Sequence, residues 1–450
     1  MTNGDGAIRQ IIKRDGNLVD YRRDRIATAI FKAMASVKEG RREEAERLAE
    51  QVEQALVRNY RGAAAPTVED IQDTVEGVLL GAGHLRVARA YIIYRHERAR
   101  ARGARGAAPV EATDNIPYKK IYEVLRWNMD RGCETVDGLN AIVKGGRLPN
   151  LVRDAEERYR AEVAEGAGRI LERRDRVRVV IIAGPSSSGK TTTLIKLSER
   201  LREAGVELVG INIDHYFFDL EQHPRDEFGD YDYETPHALD LPLINRHLQQ
   251  LLDGETVRTP HYDFKTGRRT LDVHELRLGP GQLLLIDSLH GLYEAMTCGV
   301  PDDRKFRLYV ETLGQLRAAD GTFMRWSDHR LLRRMIRDSW HRAYQPMQTL
   351  THWHYVRASE LKHIIPFIGS ADYLVNSALP YELTILKARL YRFFPEAVEA
   401  FRDDPRRQDA YLRARRVSDM LAPLEAVADD AVVPPTSPLR EFIGGSAYAY

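Results

Sequence analysis

The sequence predicts an α/β protein whose main body is a doubly wound parallel sheet, preceded by a small, mostly helical domain. Two observations carry that expectation. The apolar run Val179-Val180-Ile181-Ile182-Ala183 enters Gly184-Pro185-Ser186-Ser187-Ser188-Gly189-Lys190-Thr191 and leaves through Leu194, Leu197 and Leu201, spaced as one helical face. Further short apolar runs, at 206–213, 283–286, 306–310 and 373–375, follow at intervals filled by helical patterns, the alternation that builds a parallel sheet.

The first stretch reads as strand, phosphate loop and helix. Two glycines let backbone N–H groups wrap an anion at a helix N-terminus, a lysine reaches β- and γ-phosphates, and a hydroxyl serves Mg²⁺. Gly184, Ser186, Ser187, Ser188, Gly189, Lys190, Thr191 and Thr192 are therefore the expected ATP-binding set, with Thr191 also a metal ligand. The bland alternative is a Gly/Ser-rich turn between a strand and a helix.

Composition narrows the rest. The 450 residues suffice for more than one core, and 43% of them are apolar, as in globular proteins. Lys plus Arg (67) balances Asp plus Glu (66), so no global field points to nucleic acid or to an anionic membrane. Cys133 and Cys298 stand far apart without metal-ligand spacing, which argues against a disulfide scaffold or a cysteine zinc site. The first residues lack a basic n-region with an apolar h-region, and no run approaches the length of a membrane span. A soluble, cytoplasmic protein is expected, without nucleic-acid or membrane partners and as a homo-oligomer.

In chain order, Ile8–Ile12 is a β-prone run that ends in the turn Lys13-Arg14-Asp15-Gly16 and resumes at Leu18–Tyr21. Helical spacing begins at Asp24, with Ile26, Ile30, Ala33 and Met34 on one face. Thr67 caps a second helix with Asp70 three residues on, and Ile71, Val75, Val78 and Leu79 form its stripe. A third helix runs to Arg95. Residues 1–98 thus form one domain, and the Arg/Ala/Gly-rich residues 99–115 form a linker with little to bury. A helical connector follows over 116–172, the main domain over 173–400 and a C-terminal extension over 401–450.

These first residues resemble the ATP-cone, a nucleotide-sensing module. The likeness lies in Ile12–Gly16, Arg25-Ile26, Ala29-Ile30, Lys32-Ala33, Pro66–Glu76 and Ala90–Arg95. It implies that Lys13, Arg14 and Arg25 hold the triphosphate of a regulatory nucleotide, ATP or dATP, with Arg25 standing where the family usually has Lys. Read without the resemblance, Lys13 and Arg14 are solvated turn charges.

In the main domain, Asp214-His215-Tyr216-Phe217 follows the second strand, where open parallel sheets gather ligands. A carboxylate there could accept a proton from a substrate hydroxyl, or simply cap a turn. Leu283–Asp287 has the form of a Walker B strand whose terminal acid serves Mg²⁺. Tyr231–Asp240 and Pro260–Arg269 show no clean periodicity and fit either a polar pocket or a long structural loop. Five arginines, Arg330, Arg333, Arg334, Arg337 and Arg342, occupy two rows of one helix side, either as a solvated face or as a lid over a triphosphate.

Gly184–Thr193, Ile213–Tyr216, Pro236–Asp240, Pro260–Thr266 and Arg330–Asp338 together resemble the uridine kinase and phosphoribulokinase group of P-loop kinases. The likeness is greatest to members with an extra N-terminal regulatory module, and it extends to Cys133–Val136 and to the ending Arg440–Gly445. It implies a catalytic base at Asp214, a magnesium acid at Asp287 where Glu is common, and a sugar-binding carboxylate at Glu234 where uridine kinases have Asp. The pocket aromatic falls on Tyr262, and phosphate-holding lid arginines fall on Arg334, Arg337 and Arg342. With Lys190, Asp214, Arg334 and Arg337 form the expected catalytic set, and Glu234, Tyr262 and Arg334 the substrate set. Two departures stand out: Gly267 occupies the place of the pyrimidine-binding His, and Arg342-Ala343-Tyr344 replaces Arg-Gly-Arg.

The expected function is therefore Mg²⁺-dependent phosphoryl transfer from ATP to a ribose-containing small molecule, a nucleoside to its 5′-monophosphate, with ATP or dATP as effector. The alternatives are a pentose-phosphate kinase of the phosphoribulokinase kind and a non-catalytic nucleotide-sensing regulator.

Overall fold

The computed structural model describes residues 8–12, 18–60, 65–93, 116–224, 231, 234–341, 346–404 and 407–449. Lys13, Arg14, Arg342 and the expected linker lie outside these residues. The chain divides into two compact units, one of Met1–Thr113 with Glu396–Leu412, the other of Asp114–Pro395 with Arg413–Tyr450.

In the first unit, strands β1 (Gln10–Ile12) and β2 (Leu18–Asp20) pair antiparallel, with Ile11 opposite Val19. Four helices follow: α1 (Arg23–Ser36), α2 (Arg42–Asn59), α3 (Val68–Gly81) and α4 (residues 85–93). The predicted stripes point inward: Ile26, Ile30, Ala33 and Met34 of α1 join Ile71, Val75 and Leu79 of α3 in one core. Helix α2, which the sequence reading passed over, supplies Leu48, Val52 and Leu56 to it. Its apolar residues Ala45, Leu48, Ala49, Val52 and Leu56 keep helical spacing, with the charged residues mostly on the opposite face.

The C-terminal extension is not one piece. Residues 396–412 belong with the N-terminal unit, where the Gln408 amide oxygen accepts from the buried Arg42 guanidinium at 2.6 Å. The ring of Tyr411 lies 4.8 Å from the same guanidinium carbon. Neither contact has a sequence signature, since the partners are some 366 residues apart along the chain.

The second unit opens with α5 (Tyr118–Asp130), α6 (Val136–Lys144) and α7 (Leu148–Glu172). The expected connector is thus part of this unit: Gly166 of α7 lies so close to β-strand side chains that an added Cβ would come within 3.2 Å of Leu308 and 3.3 Å of Tyr373. Five parallel strands follow, β3 (Val179–Ala183), β4 (Leu208–Asn212), β7 (Leu283–Ser288), β8 (Lys305–Glu311) and β9 (Tyr373–Asn376). Their order is β4-β7-β3-β8-β9. Side chains alternate across the sheet. Val179, Ile181, Leu284 and Ile286 meet Ile244, Leu248 and Leu251 of α9 (Leu241–Leu252), while α7 and α8 (Lys190–Glu203) cover the opposite face. This is a doubly wound parallel α/β architecture.

Between β4 and β7, the stretch without legible periodicity contains an antiparallel hairpin, β5 (Thr256–Asp263) and β6 (Arg268–Arg277). Nearly every residue of β6 is exposed, so the inside–outside alternation that marks a strand is missing from its sequence. After β8 come α10 (Trp326–His341), α11 (Pro346–His363), α12 (Glu382–Leu390), α13 (Phe393–Phe401), α14 (Gln408–Leu421) and the short α15 (Arg440–Ile443). Among the described residues no helix is long and apolar enough to cross a membrane.

The predicted capping box forms in full: Thr67 accepts from the Asp70 amide at 3.1 Å, and Asp70 accepts from the Thr67 amide at 2.7 Å. Thr67→Ala should lower the local opening free energy of α3 by about 1 kcal/mol, the usual worth of such a cap. Amide exchange across residues 68–81 should accelerate accordingly, and Thr67→Ser should restore most of the protection.

Candidate active site

The loop after β3 is shaped by two glycines. A Cβ at Gly184 would lie 2.3 Å from the carbonyl oxygen of Val310, so only glycine lets the loop cross the tip of β8. Gly189 has φ +86° at the start of α8, a left-handed turn that costs glycine little. Ser187 between them also takes a positive φ, +62°. Helix α8 thereby begins at Lys190, with its unsatisfied amides and positive dipole end at the mouth of the loop. The Lys190 ammonium is held across the loop by the Gly184 carbonyl at 2.9 Å. Ser187 and Ser188 are buried, and their hydroxyls have no protein partner.

Parallel register brings the other groups to the same edge. Ile182 pairs with Asp287, and Asp287 in turn with Asn212. The phosphate loop, Asp287 and, two residues beyond Asn212, Asp214 therefore sit at the C-terminal ends of three adjacent strands. Their charges interact. Burial lowers the Lys190 pKa, an effect opposed first by Asp287, then by Glu441 and, more weakly, by Asp214. Asp214 is raised by enclosure, then by the charge of Asp287, with Lys190 pulling the other way. Although surrounded by protein, it keeps an exposed surface, as a group lining a cleft does.

Asp287 is likewise raised by burial, with Lys190 opposing. Its Oδ1 is buried without a hydrogen-bond partner. An orphaned carboxylate oxygen, with a second carboxylate near enough to repel it, suits a divalent cation. The donors at hand, this carboxylate and the Thr191 hydroxyl, are hard oxygens of the kind Mg²⁺ takes. Thr191, the second residue of α8, is partly buried.

The arginines of α10 do not form a uniform lid. Arg330 and Arg333 are 2% and 0% exposed. Arg330 pairs with Glu311 at 3.0 Å and with Glu360, and donates to the Ser186 carbonyl at 3.2 Å. Arg333 forks onto Glu382 at 2.8 and 2.9 Å and donates to the Ser377 hydroxyl, which itself donates to the Ser188 carbonyl. Burial alone would raise the Glu382 pKa, yet Arg333, with His329, holds it at about 2. These two arginines brace the phosphate loop from behind. The expectation that two rows close on a triphosphate fails for the row members Arg330 and Arg333, because each already has buried carboxylate partners. Arg334, on the neighbouring face, donates to the Ser186 hydroxyl at 2.9 Å, lies 3.7 Å from Glu234 and pairs with Asp338 at 3.2 Å. Arg337 lies 3.8 Å from Asp338.

Thr192 differs from its neighbours in the loop. It is fully buried, and both its amide and its hydroxyl donate to Glu441 of α15, at 3.1 and 2.8 Å. Its side chain serves the join between the C-terminal segment and α8. Glu441 was not singled out in the sequence, although it lies in the Arg440–Gly445 ending.

On the acceptor side, Tyr262 of β5 is 2% exposed, with its ring 5.5 Å from that of Phe217 and 5.0 Å from that of Phe264. Gly267, at the hairpin tip, has φ +68°, and a Cβ there would approach Leu220 to 2.8 Å. The tip therefore excludes the histidine that the uridine kinase pattern would place at this position. Instead, three imidazoles gather beside Glu234: the rings of His237 and His290 lie 5.5 and 6.1 Å from that of His363, and Tyr293 is edge-on to His237 and His363. His290 is 5% exposed, and burial followed by the charge of His363 lowers its pKa to about 3, so it is neutral at physiological pH. In the sequence, His237 falls within the Pro236–Asp240 stretch of the family resemblance, while His290 and His363 carry no motif. In the N-terminal unit, Arg25 lies exposed on α1.

Comparison with known proteins accords with this geometry. Residues 9–100 match the ATP cone domain, and residues 179–384 match the Phosphoribulokinase / Uridine kinase family. The chain joins an ATP cone domain to a kinase domain of the phosphoribulokinase and uridine kinase family. A uridine kinase of Deinococcus deserti is 27% identical over 215 residues, 47% of this chain and 94% of that protein. A uridine kinase of Oceanobacillus iheyensis is 28% identical, over 44% of this chain and 85% of that protein. The front of the chain is 42% identical over 96 residues to a vitamin B12-dependent ribonucleoside-diphosphate reductase of Thermoplasma acidophilum, over 20% of this chain and 12% of that protein. An ATP cone implies nucleotide sensing, and a kinase of this family implies ATP with a divalent metal ion.

Two outcomes test the site. Asp287 has a folded pKa above its unfolded value, so the folded state binds more protons and this group's contribution falls as pH rises through that window. At neutral pH without metal its charge opposes folding. Asp287→Asn should therefore keep or raise Tm in EDTA while abolishing the further rise that Mg²⁺ with ATP gives the parent protein. Arg333→Ala strands Glu382 and should destabilise the kinase domain by about 3–5 kcal/mol, whereas Arg333→Leu with Glu382→Leu should recover much of that loss in thermal unfolding.

Proposed function

We propose that this protein transfers the γ-phosphoryl group of ATP to a primary hydroxyl of a ribose-containing small molecule, converting a nucleoside to its 5′-monophosphate. The observation that carries this reading is the meeting of Lys190, Asp287 and Asp214 at the ends of three adjacent strands, where Lys190 and Asp214 each feel the charge of the other two. The loop amides and Lys190 hold the triphosphate. Asp287 and Thr191 would hold Mg²⁺, which would supply charge neutralisation on the phosphates. Asp214 accepts the hydroxyl proton as the acceptor oxygen bonds to the γ-phosphorus and the bond to the bridging oxygen breaks, releasing ADP. Its raised pKa makes it a better base than a free aspartate. Arg334 and Arg337 offset charge on the moving phosphoryl group.

Glu234 binds the ribose hydroxyls, with Arg334 beside it, and Tyr262 forms the wall behind. Base recognition is assigned to the neutral imidazoles of His237, His290 and His363, because Gly267 leaves no side chain at the hairpin tip. The ATP cone makes the reaction responsive to ATP or dATP, with Arg25 among the groups that hold the effector's phosphates.

Asp214→Asn should reduce kcat by roughly 10²–10⁴ with little change in ATP binding. Full turnover by this variant would remove Asp214 from the role of base. A panel of nucleosides and pentose phosphates, read by ADP release, should show turnover with nucleosides. Preference for ribulose 5-phosphate would instead indicate a pentose-phosphate kinase, and ATP binding without ADP release on any acceptor would indicate a regulator.

A further inference from the structure

Three histidines that the proposed phosphoryl transfer does not use converge where the β5–β6 hairpin meets the turn after β4. His215 follows Asp214 in the 3-10 turn Ile213–Tyr216, His261 lies on β5 and His274 on β6. The ladder slips between Thr259 and His261, so that Thr259 faces His274 while His261 faces Thr270. That irregularity brings the two hairpin imidazoles together, with the Nε2 of His274 3.4 Å from the Nδ1 of His261. The ring of His215 lies 4.6 Å from that of His261 and 5.7 Å from that of His274. One ring nitrogen from each of the three can be chosen so that all lie within 4.8 Å of one another. Among the described residues no other group of three histidine, cysteine or acidic side chains is gathered in this way.

We propose that His215, His261 and His274 bind a divalent transition-metal ion of the zinc class, which staples the β5–β6 hairpin to the strand-tip turn that carries Asp214. Zn–N bonds of about 2.0–2.1 Å in a tetrahedron place neighbouring nitrogens about 3.3 Å apart. The His261–His274 pair already has that spacing, and bringing nitrogens that lie within 4.8 Å to about 3.3 Å needs a shift of up to about 1.5 Å by side chains of which two are exposed. An all-imidazole set suits Zn²⁺, Ni²⁺ or Cu²⁺ and not Mg²⁺, which takes oxygen donors. The site is thus chemically separate from the Asp287 and Thr191 oxygens. A water molecule completes the coordination.

Two further features favour metal over a mere stack of rings. Burial, then the two neighbouring imidazoles, push the His215 pKa below its ordinary value. The Nδ1 of His215 accepts only a long bond, 3.3 Å, from the Tyr262 amide, and coordination there would replace that contact. The ion would then fix Tyr262, one residue from His261, relative to Asp214, one residue from His215. The proposal stands on these three residues and does not depend on the acceptor being a nucleoside.

The test uses untagged, full-length protein stripped with EDTA and titrated with Co²⁺, then with Zn²⁺ as competitor. The parent protein should take up one equivalent of Co²⁺ with the visible absorption of a four-coordinate, nitrogen-bound ion, and Zn²⁺ should displace it. Zn²⁺ should also raise Tm and slow amide exchange across 256–277. His261→Ala with His274→Ala, both at exposed positions, should fold with parental Tm in EDTA and lose the absorption and the Zn²⁺-dependent protection. Asp287→Asn should keep both. Absence of saturable Co²⁺ binding in the parent, or the same stoichiometry and spectrum in the double variant, would overturn the proposal.

Discussion

An ammonium and two carboxylates share one cleft at the ends of three parallel strands, and burial pushes each of the three towards its neutral form. A polypeptide does not gather such groups for stability, since desolvation of each charge opposes folding. What makes the arrangement tenable is partial mutual compensation, Lys190 between Asp287 and Asp214, together with the Gly184 carbonyl on the ammonium. A polyanion with a divalent cation would relieve what remains. The ammonium and the loop amides would meet the phosphates, and the orphaned Asp287 oxygen would meet the metal. The cleft is thus built for ligands that the chain itself does not provide.

Holding the cleft in this shape requires a rigid support, and α10 supplies it. Arg330 reaches from this helix to the Ser186 carbonyl, and Arg333 reaches the Ser188 carbonyl through the Ser377 hydroxyl, while the two neutralise Glu311, Glu360 and Glu382. Such fully buried, bidentate pairs contribute little net stability but tolerate few alternative geometries. Their effect is to fix where the phosphate loop lies relative to β8 and α12. The C-terminal ending adds a further brace, with Glu441 accepting from both the amide and the hydroxyl of Thr192 in the first turn of α8. A carboxylate at a helix N-terminus is electrostatically favoured, and this one lies behind the loop, leaving its mouth free for phosphate.

The acceptor side departs from the uridine kinase pattern in a coherent way. Where a histidine would stand, the hairpin tip is a left-handed glycine pressed against Leu220. Imidazoles appear elsewhere instead, one set beside Glu234 and another where the hairpin meets the Asp214 turn. The relatives named uridine kinase are 27–28% identical to the matched part of the chain.

Local chemistry explains how much was legible in advance. The phosphate loop, the strands around it, the Thr67 cap and the stripes of α1 and α3 are written in residues a few positions apart, so spacing alone determined them. The identity of Asp214, Asp287, Glu234 and Tyr262 as candidates also came from local sequence, by position after a strand or by likeness to a family. The tertiary structure decided the rest. Arg330 and Arg333 looked like members of a solvated or phosphate-facing row, because the partners that claim them, Glu311, Glu360 and Glu382, lie 19 to 49 residues further on or back along the chain. The exposed β6 strand lacked a clean periodicity, whereas the helical stripe of α2 was present in the sequence. The return of residues 396–412 to the N-terminal unit rests on a buried arginine finding Gln408 and Tyr411. Sequence spacing encodes what a segment does with its own turn or strand; which distant charge satisfies a buried one is settled only when the chain closes on itself, because that choice depends on desolvation and distance in three dimensions.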